Sequence, residues 1–311
     1  MKLYQPKPTY RLSGPPASLP EIPGIGQNPS EGVLFDYYLK EKGDTNKVSL
    51  DILDLTGKSI RKLSSKKDES FKPTPGGRPA PVVIPAEAGV NRFAWDFRGE
   101  TLTDVPGVFI YGDYRGHRVA PGKYKARVTA RGETSETEFE ILADPNLKVT
   151  SADWIAQQDV LNEVESNLGE LNKSINNMRK VKKQVETYNE VMKSNPEVKD
   201  VVDKGKELVK KLDRWESNLI EIRSKNGQDI INFQNKLNSE FFQLRMSLDS
   251  HDPRVTQGVR DRLHDVETEW QKSKQQMNDI VQKDIGYYNK MFKDKNLPAL
   301  MIETKDVVIN N

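Results

Sequence analysis

Three histidines, His117, His251 and His264, are the residues best suited to proton transfer or metal ligation. None sits in an H-E-x-x-H or comparable ligand spacing, so the sequence offers no metal site. Asp96, Asp104 and Asp113 could supply the paired carboxylates of glycoside cleavage, but nothing nearby in sequence fixes the separation that such chemistry needs. Asp96 follows Trp95 in a strand pattern, where a carboxylate accepts turn hydrogen bonds. Tyr111 to Arg118, Tyr-Gly-Asp-Tyr-Arg-Gly-His-Arg, gathers aromatic and cationic groups, and Tyr111, Tyr114, Arg115 and His117 are the candidate binding residues for a carbohydrate or a peptide. The alternative for this loop is packing under a sheet edge. No phosphate-binding glycine loop and no G-x-S-x-G occurs, so neither a nucleotide nor any other cofactor is expected.

Composition narrows the classes further. The 311 residues carry 48 Lys and Arg against 46 Asp and Glu, a net charge of +2 with the signs interspersed, which is a solvated surface and not a nucleic-acid face. Cysteine is absent, which excludes disulfides and thiolate chemistry. No apolar run reaches the roughly 18 residues of a membrane span. Length alone favours two domains.

The elements that must position these residues change period along the chain. Residues 1–30 hold seven prolines and read as an extended linker or arm. From Gly32 the period is two: strands are expected near 33–39, 48–54, 58–63, 89–98, 123–130 and 134–142, with a tight turn at Asp54-Leu55-Thr56-Gly57. Short strands at this spacing with no helix between them predict an antiparallel β-sandwich over 31–144.

The remainder, 145–299, is helical, with a tail at 300–311. Leu161, Val164, Leu168, Leu171, Ile175, Met178, Val181, Val185, Tyr188 and Met192 form one seam; Val198, Val201, Gly205, Leu208, Leu212, Trp215, Leu219 and Ile222 form a second after Ser194-Asn195-Pro196. The second helix should end near Asn226-Gly227. A shorter helix, about 235–248, buries Leu237, Phe241, Leu244 and Leu248. A last one carries Val259, Leu263, Val266, Trp270, Met277, Ile280, Asp284, Tyr288 and Met291 on one stripe. Three rods, the middle one broken at 226–233, form an elongated antiparallel bundle, with a four-helix up-and-down arrangement as the alternative. The fold class expected is thus α+β multidomain, an antiparallel immunoglobulin-like sandwich followed by a helical bundle.

Gly89-Val90-Asn91-Arg92-Phe93-Ala94-Trp95-Asp96-Phe97-Arg98, then Ala120-Pro121-Gly122-Lys123-Tyr124, then Asp144-Pro145 with Thr150 and Asp153, and Ile231-Asn232-Phe233-Gln234 downstream, resemble in order the region after the β-propeller in secreted sortilin-like, neuraminidase-repeat "glycosyl hydrolase" proteins of bacteria. The first two motifs are also similar to a flagellar hook-capping domain. The resemblance implies an exported setting, in the periplasm, at the cell surface or secreted, with the cytoplasm as the alternative. It implies a non-catalytic interaction or scaffold module whose protein partner is a β-propeller or an outer-membrane component. The S-x-D-x-G-x-T-W box of such propellers does not occur. An accessory part of a glycosidase or peptidase, with its catalytic propeller outside this chain, and a cytoplasmic cytoskeletal or flagellar assembly factor are the competing readings.

Overall fold

The computed structural model describes residues 1–12, 31–42 and 48–297, and the class is α+β. Eight strands come first: β1 (Lys2–Leu3), β2 (Thr9–Arg11), β3 (Val33–Leu39), β4 (Ser49–Leu53), β5 (Ser59–Ser64), β6 (Gly89–Trp95), β7 (Gly122–Ala130) and β8 (Glu133–Ala143). They form a three-stranded sheet, β1-β3-β6, and a five-stranded one, β2-β8-β7-β4-β5, which curls as a half-barrel. Alternation drives burial: Val33, Phe35, Tyr37 and Leu39 of β3 turn inward with Leu50 and Ile52 of β4, Trp95 of β6, Val128 of β7 and Phe139 of β8, in one apolar cluster shared by both sheets. On the outer face of β7 and β8, Lys123, Lys125 and Arg127 stand opposite Glu140, Glu138 and Glu136, the opposite-charge pairing that stabilises a two-strand ladder.

Two strands fall inside the expected N-terminal arm. β1 pairs with β3, and β2 pairs with β8 in parallel, Thr9 opposite Ile141. The first dozen residues are therefore part of the sheets, and one ladder departs from the antiparallel expectation. Prolines 6 and 8 leave room for Thr9 to Arg11 to extend. The proline-rich stretch 13–30 and the tail from 300 onward lie outside the described residues. β6 stops at Trp95, short of Arg98, because Phe97 takes a left-handed backbone (φ 63°) that turns the chain out of the sheet.

The helices are α1 (Ser151–Met192), α2 (Lys199–Leu219), α3 (Leu237–Leu248), α4 (Gln257–Asp279) and α5 (Gly286–Asp294). α1 spans 42 residues, about 63 Å at 1.5 Å per residue. A capping box starts it: the Thr150 hydroxyl accepts from Asp153 N, and Asp153 Oδ2 accepts from Thr150 N at 2.7 Å. Asn195 and Pro196 open a 3-10 turn that leads into α2.

Arg179 bonds Glu216 and Lys182 bonds Asp213, so positions rise on α1 as they fall on α2. The N-terminal half of α1 instead meets α3, through Glu165 with Arg245 and Gln157 Nε2 with Leu248 O. α4 adjoins α1 and α3 through Trp270 Nε1 on Glu170 and Arg262 on Glu240, and beyond it Lys211 of α2 bonds Asp284.

Two boundaries differ from the sequence expectation. α2 ends at Leu219, where Ile220 becomes extended (φ −136°, ψ 149°), leaving Ile222 exposed. Between α4 and α5, Ile280–Ile285 forms a π-helical turn. Such a turn holds one extra residue, so the fully buried stripe resumes at Ile285, Tyr288 and Phe292, with Asp284 and Met291 only half-buried beside it. Asp284 is free to bond Lys211 for that reason.

The two apolar clusters do not divide at residue 144. Between β6 and β7 the chain leaves the sheets, and Val105, Val108, Ile110 and Tyr114 join the helical cluster. Three α1 side chains one turn apart hold this strap by its carbonyls: Asn172 Nδ2 on Thr103 O, Asn176 Nδ2 on Asp104 O and Arg179 Nη1 on Pro106 O, at 2.7 to 2.8 Å.

Candidate functional site

The four sequence-selected residues lie where the strap returns to the sheets, but they do not form one surface. Tyr114 is buried, its ring edge-on to Phe242 of α3 at 4.7 Å. Burial, and then the charge of Asp104, pushes its phenol well above the ordinary tyrosine range. His117 is also buried: its backbone N–H donates to Glu165 Oε1 at 2.8 Å, its Nε2 lies 3.2 Å from Gln158 Oε1, and its Nδ1 faces Glu165 Oε2 at 3.0 Å without hydrogen-bond alignment. Tyr114 and His117 therefore cannot contact a ligand, because the helices cover them. The loop packs against α1 and α3, and its 117–119 backbone pairs with Phe97 to Gly99 just past the end of β6. Arg115 is exposed but engaged, with Nη2 2.7 Å from Asp113 Oδ2 and Nη1 3.4 Å from Asp96 Oδ2. Only Tyr111 presents its ring to solvent.

What the loop builds is a buried ionic junction between sheets and helices. Arg245 of α3, 1 % exposed, donates Nε to Glu165 Oε1 at 2.5 Å and Nη1 to Asp113 O at 2.8 Å, with Nη2 on Arg115 O. Burial works against ionisation of Glu165, yet the bonds and charge of His117 and Arg245 hold its carboxyl below the ordinary range. Asp249, at the C-terminal cap of α3, collects three guanidiniums: Arg98 at 2.8 Å, Arg118 at 3.5 Å and Arg11 at 3.8 Å. Arg11 reaches there from β2. It is stacked over the Trp154 ring at 4.6 Å and donates to Val119 O, and burial, then the charge of Arg118, lowers its pKa to about 10. Gly116 lets the loop pass close over Gly99 and Glu100, since a Cβ would meet Glu100 O at 2.5 Å.

Sequence reading missed Arg11, Arg98, Arg118, Glu165, Arg245 and Asp249. One signal for them exists: Arg245 falls four residues after Phe241 and three before Leu248, on the core-facing side of α3, and a cation there requires a buried partner.

The three aspartates singled out in the sequence face arginines. Asp96 and Asp113 are bound to Arg98 and Arg115, and Asp104 faces Arg78 at 3.6 Å. Glu163 of α1 and Glu267 of α4 line an open groove of about 760 Å³ with Asn167 and His264. Burial, then repulsion from Glu163, raises Glu267, and Asn167 Nδ2 donates to it at 2.6 Å. Among the described residues no group of three His, Asp or Glu is placed to hold a metal ion, and no helix is long and apolar enough to cross a membrane. His251 instead faces Asp144 at 3.4 Å.

One further surface was not legible as a site. The segment joining α2 to α3 contains a 3-10 turn, Gly227–Ile231, none of whose residues is buried. Ile231 is 80 % exposed, Ile222 53 % and Ile230 47 %. Tyr111 lies beside it, its ring 3.5 Å from where a Cβ on Gly227 would stand.

No protein-family model, no curated protein and no solved structure matches this chain.

Proposed function

We propose that the chain is a non-catalytic interaction module of an exported cell-envelope protein. In this reading the two sheets act as an immunoglobulin-like sandwich, and the helices act as an elongated antiparallel bundle, three rods with the middle one broken, presented to a protein partner. A β-propeller or an outer-membrane component is the partner proposed, on the motifs at 89–98, 120–124 and 144–153 that resemble the region after such propellers.

The observation that carries the reading is the use of the ionisable groups. Asp96, Asp113, Glu165 and Asp249 are each tied to an arginine across or beside the junction, so their charge sets how the helices stand on the sheets and is not free for proton transfer. The exposed turn between α2 and α3 adds an ordered apolar surface of the type used in protein association.

The test has two arms. Crosslinking the full chain in native envelopes should join it to an envelope protein, and recovery of all of it from the cytoplasmic fraction would overturn the exported setting. Turnover of sialoside or other glycan substrates by the purified chain, lost in Asp96→Asn or Asp113→Asn, would overturn the non-catalytic reading.

A further inference from the structure

The surface between α2 and α3 is ordered before anything binds it. Asn226 Oδ1 accepts from Gln228 N at 2.9 Å, and Asp229 Oδ2 accepts from Lys225 N at 2.6 Å and Asn226 N at 3.2 Å, closing a capping box around the turn. Upstream, Arg223 bonds both oxygens of Glu221 and lies over the Phe233 ring at 4.4 Å. A turn built to cover nothing and held from both sides keeps its isoleucines in water at no further ordering cost on association.

Charge says what covers it. Both acids of the segment are consumed internally, Glu221 by Arg223 and Asp229 by backbone N–H groups. Lys225 is not. Lys225, exposed, has no carboxylate partner among the described residues, and its Nζ meets only Ile222 O. The charge left unpaired beside the apolar patch is therefore positive.

We infer that Tyr111, Ile222, Ile230 and Ile231, with Lys225 beside them, are the docking knob for a protein segment that pairs apolar side chains with carboxylates. The inference rests on the interaction-module reading and names the surface and chemistry of the partner. Aliphatic and aromatic anchors fully desolvated at the centre would supply affinity, and the acids opposite Lys225 would fix register and speed encounter.

The test uses the full chain and a phage-displayed library of random peptides. Enriched peptides should combine Leu, Ile, Phe or Trp with Asp or Glu. Their affinity should fall at least tenfold in Ile230→Asp and Ile231→Asp, and about threefold in Lys225→Glu with restored binding at low salt for peptides carrying Lys in place of the acids. Because the turn buries nothing, these variants keep the parent fold, checked by thermal melting. Enriched peptides that bind all variants equally would overturn the knob while leaving the interaction module standing. Failure to enrich any peptide overturns the knob. So does Ile231-dependent binding to vesicles of phosphatidylglycerol and phosphatidylcholine in place of peptides, or Ile231-dependent self-association in sedimentation.

Discussion

Arg245 of α3 and Glu165 of α1 form an ion pair that is almost wholly closed to solvent, and the remaining donors of Arg245 hold the carbonyls of Asp113 and Arg115 from the strap. One guanidinium thus binds two helices and the loop that joins them to the sheets. Removing one member leaves a buried charge without its counterpart. Arg245→Met should cost about 3–5 kcal/mol in urea unfolding. Glu165→Gln combined with Arg245→Met should cost less than Arg245→Met alone, because neither charge then remains. Equal losses for the single and double variants would show that packing, not charge, holds this point.

The Glu163 and Glu267 pair predicts a pH dependence of opposite sign to that of Glu165. Glu267 lies above its ordinary 4.5 through burial and then through repulsion from Glu163, with a bond from Asn167 and the charge of His264 acting against both. The folded protein then binds more protons than the unfolded chain in the window just above 4.5, so stability falls as pH rises through it. Glu267→Gln should raise the melting temperature at neutral pH by about 1–2 °C, a surface-scale effect of under about 1 kcal/mol. It should leave the melting temperature at pH 4 unchanged. For Glu165 the carboxyl is held low, so its contribution is present above 4.5 and is lost as acid protonates it below that value. A variant Glu165→Gln should accordingly differ most from the parent at neutral pH.

The π-helical turn makes a register prediction. Deleting Gln282, which is exposed, would convert Ile280–Ile285 to an α-helical turn and set Met277, Ile280, Ile285, Tyr288 and Phe292 on steps of three and four. That deletion should be tolerated, with the melting temperature within about 4 °C of the parent. Deleting Gln275, inside α4, rotates everything after it by about 100° and should abolish cooperative melting. If both deletions behave alike, the extra residue is not what sets the stripe.

Gly205 predicts a coupled pair. A Cβ there would stand 2.3 Å from Asn189 Oδ1 and 2.9 Å from its Cγ, so Gly205→Ala must displace the amide, which lies 3.5 Å from the Tyr288 hydroxyl. Alone, the substitution should destabilise. Together with Asn189→Ala it should exceed the parent by about 1 kcal/mol, the difference in helix propensity between Gly and Ala. Chemical denaturation of the three variants measures the coupling.

Legibility followed the reach of the interactions. The seams of α1 and α2 were readable because an amphipathic period depends only on residues three and four apart, and Leu161 through Met192 and Val198 through Leu219 are buried or half-buried as the pattern requires. The turn at Asp54 was readable because its carboxylate binds Thr56 and Lys58 locally. The arginines on Asp249 come from positions 11, 98 and 118, and no local period connects them. The strap was hidden for a related reason: Val105, Val108 and Ile110 mix a step of three with a step of two and hold to no single period, and the strap is held by Asn172, Asn176 and Arg179. Tyr114 and His117 looked available only because sequence does not reveal that α1 and α3 lie over them.

The parallel ladder between β2 and β8 has a consequence for biosynthesis. Thr9 to Arg11 have no strand to join until Ile141 to Ala143 exist, a separation matching the 132 residues between Leu3 and its bond to Ser135. At roughly 5–20 residues per second, Thr9 to Arg11 wait about 7–26 s after emerging, whereas Lys2 to Tyr4 find β3 within the next few dozen residues. The half-barrel therefore closes late, after its final strand has left the ribosome and as α1 begins to follow.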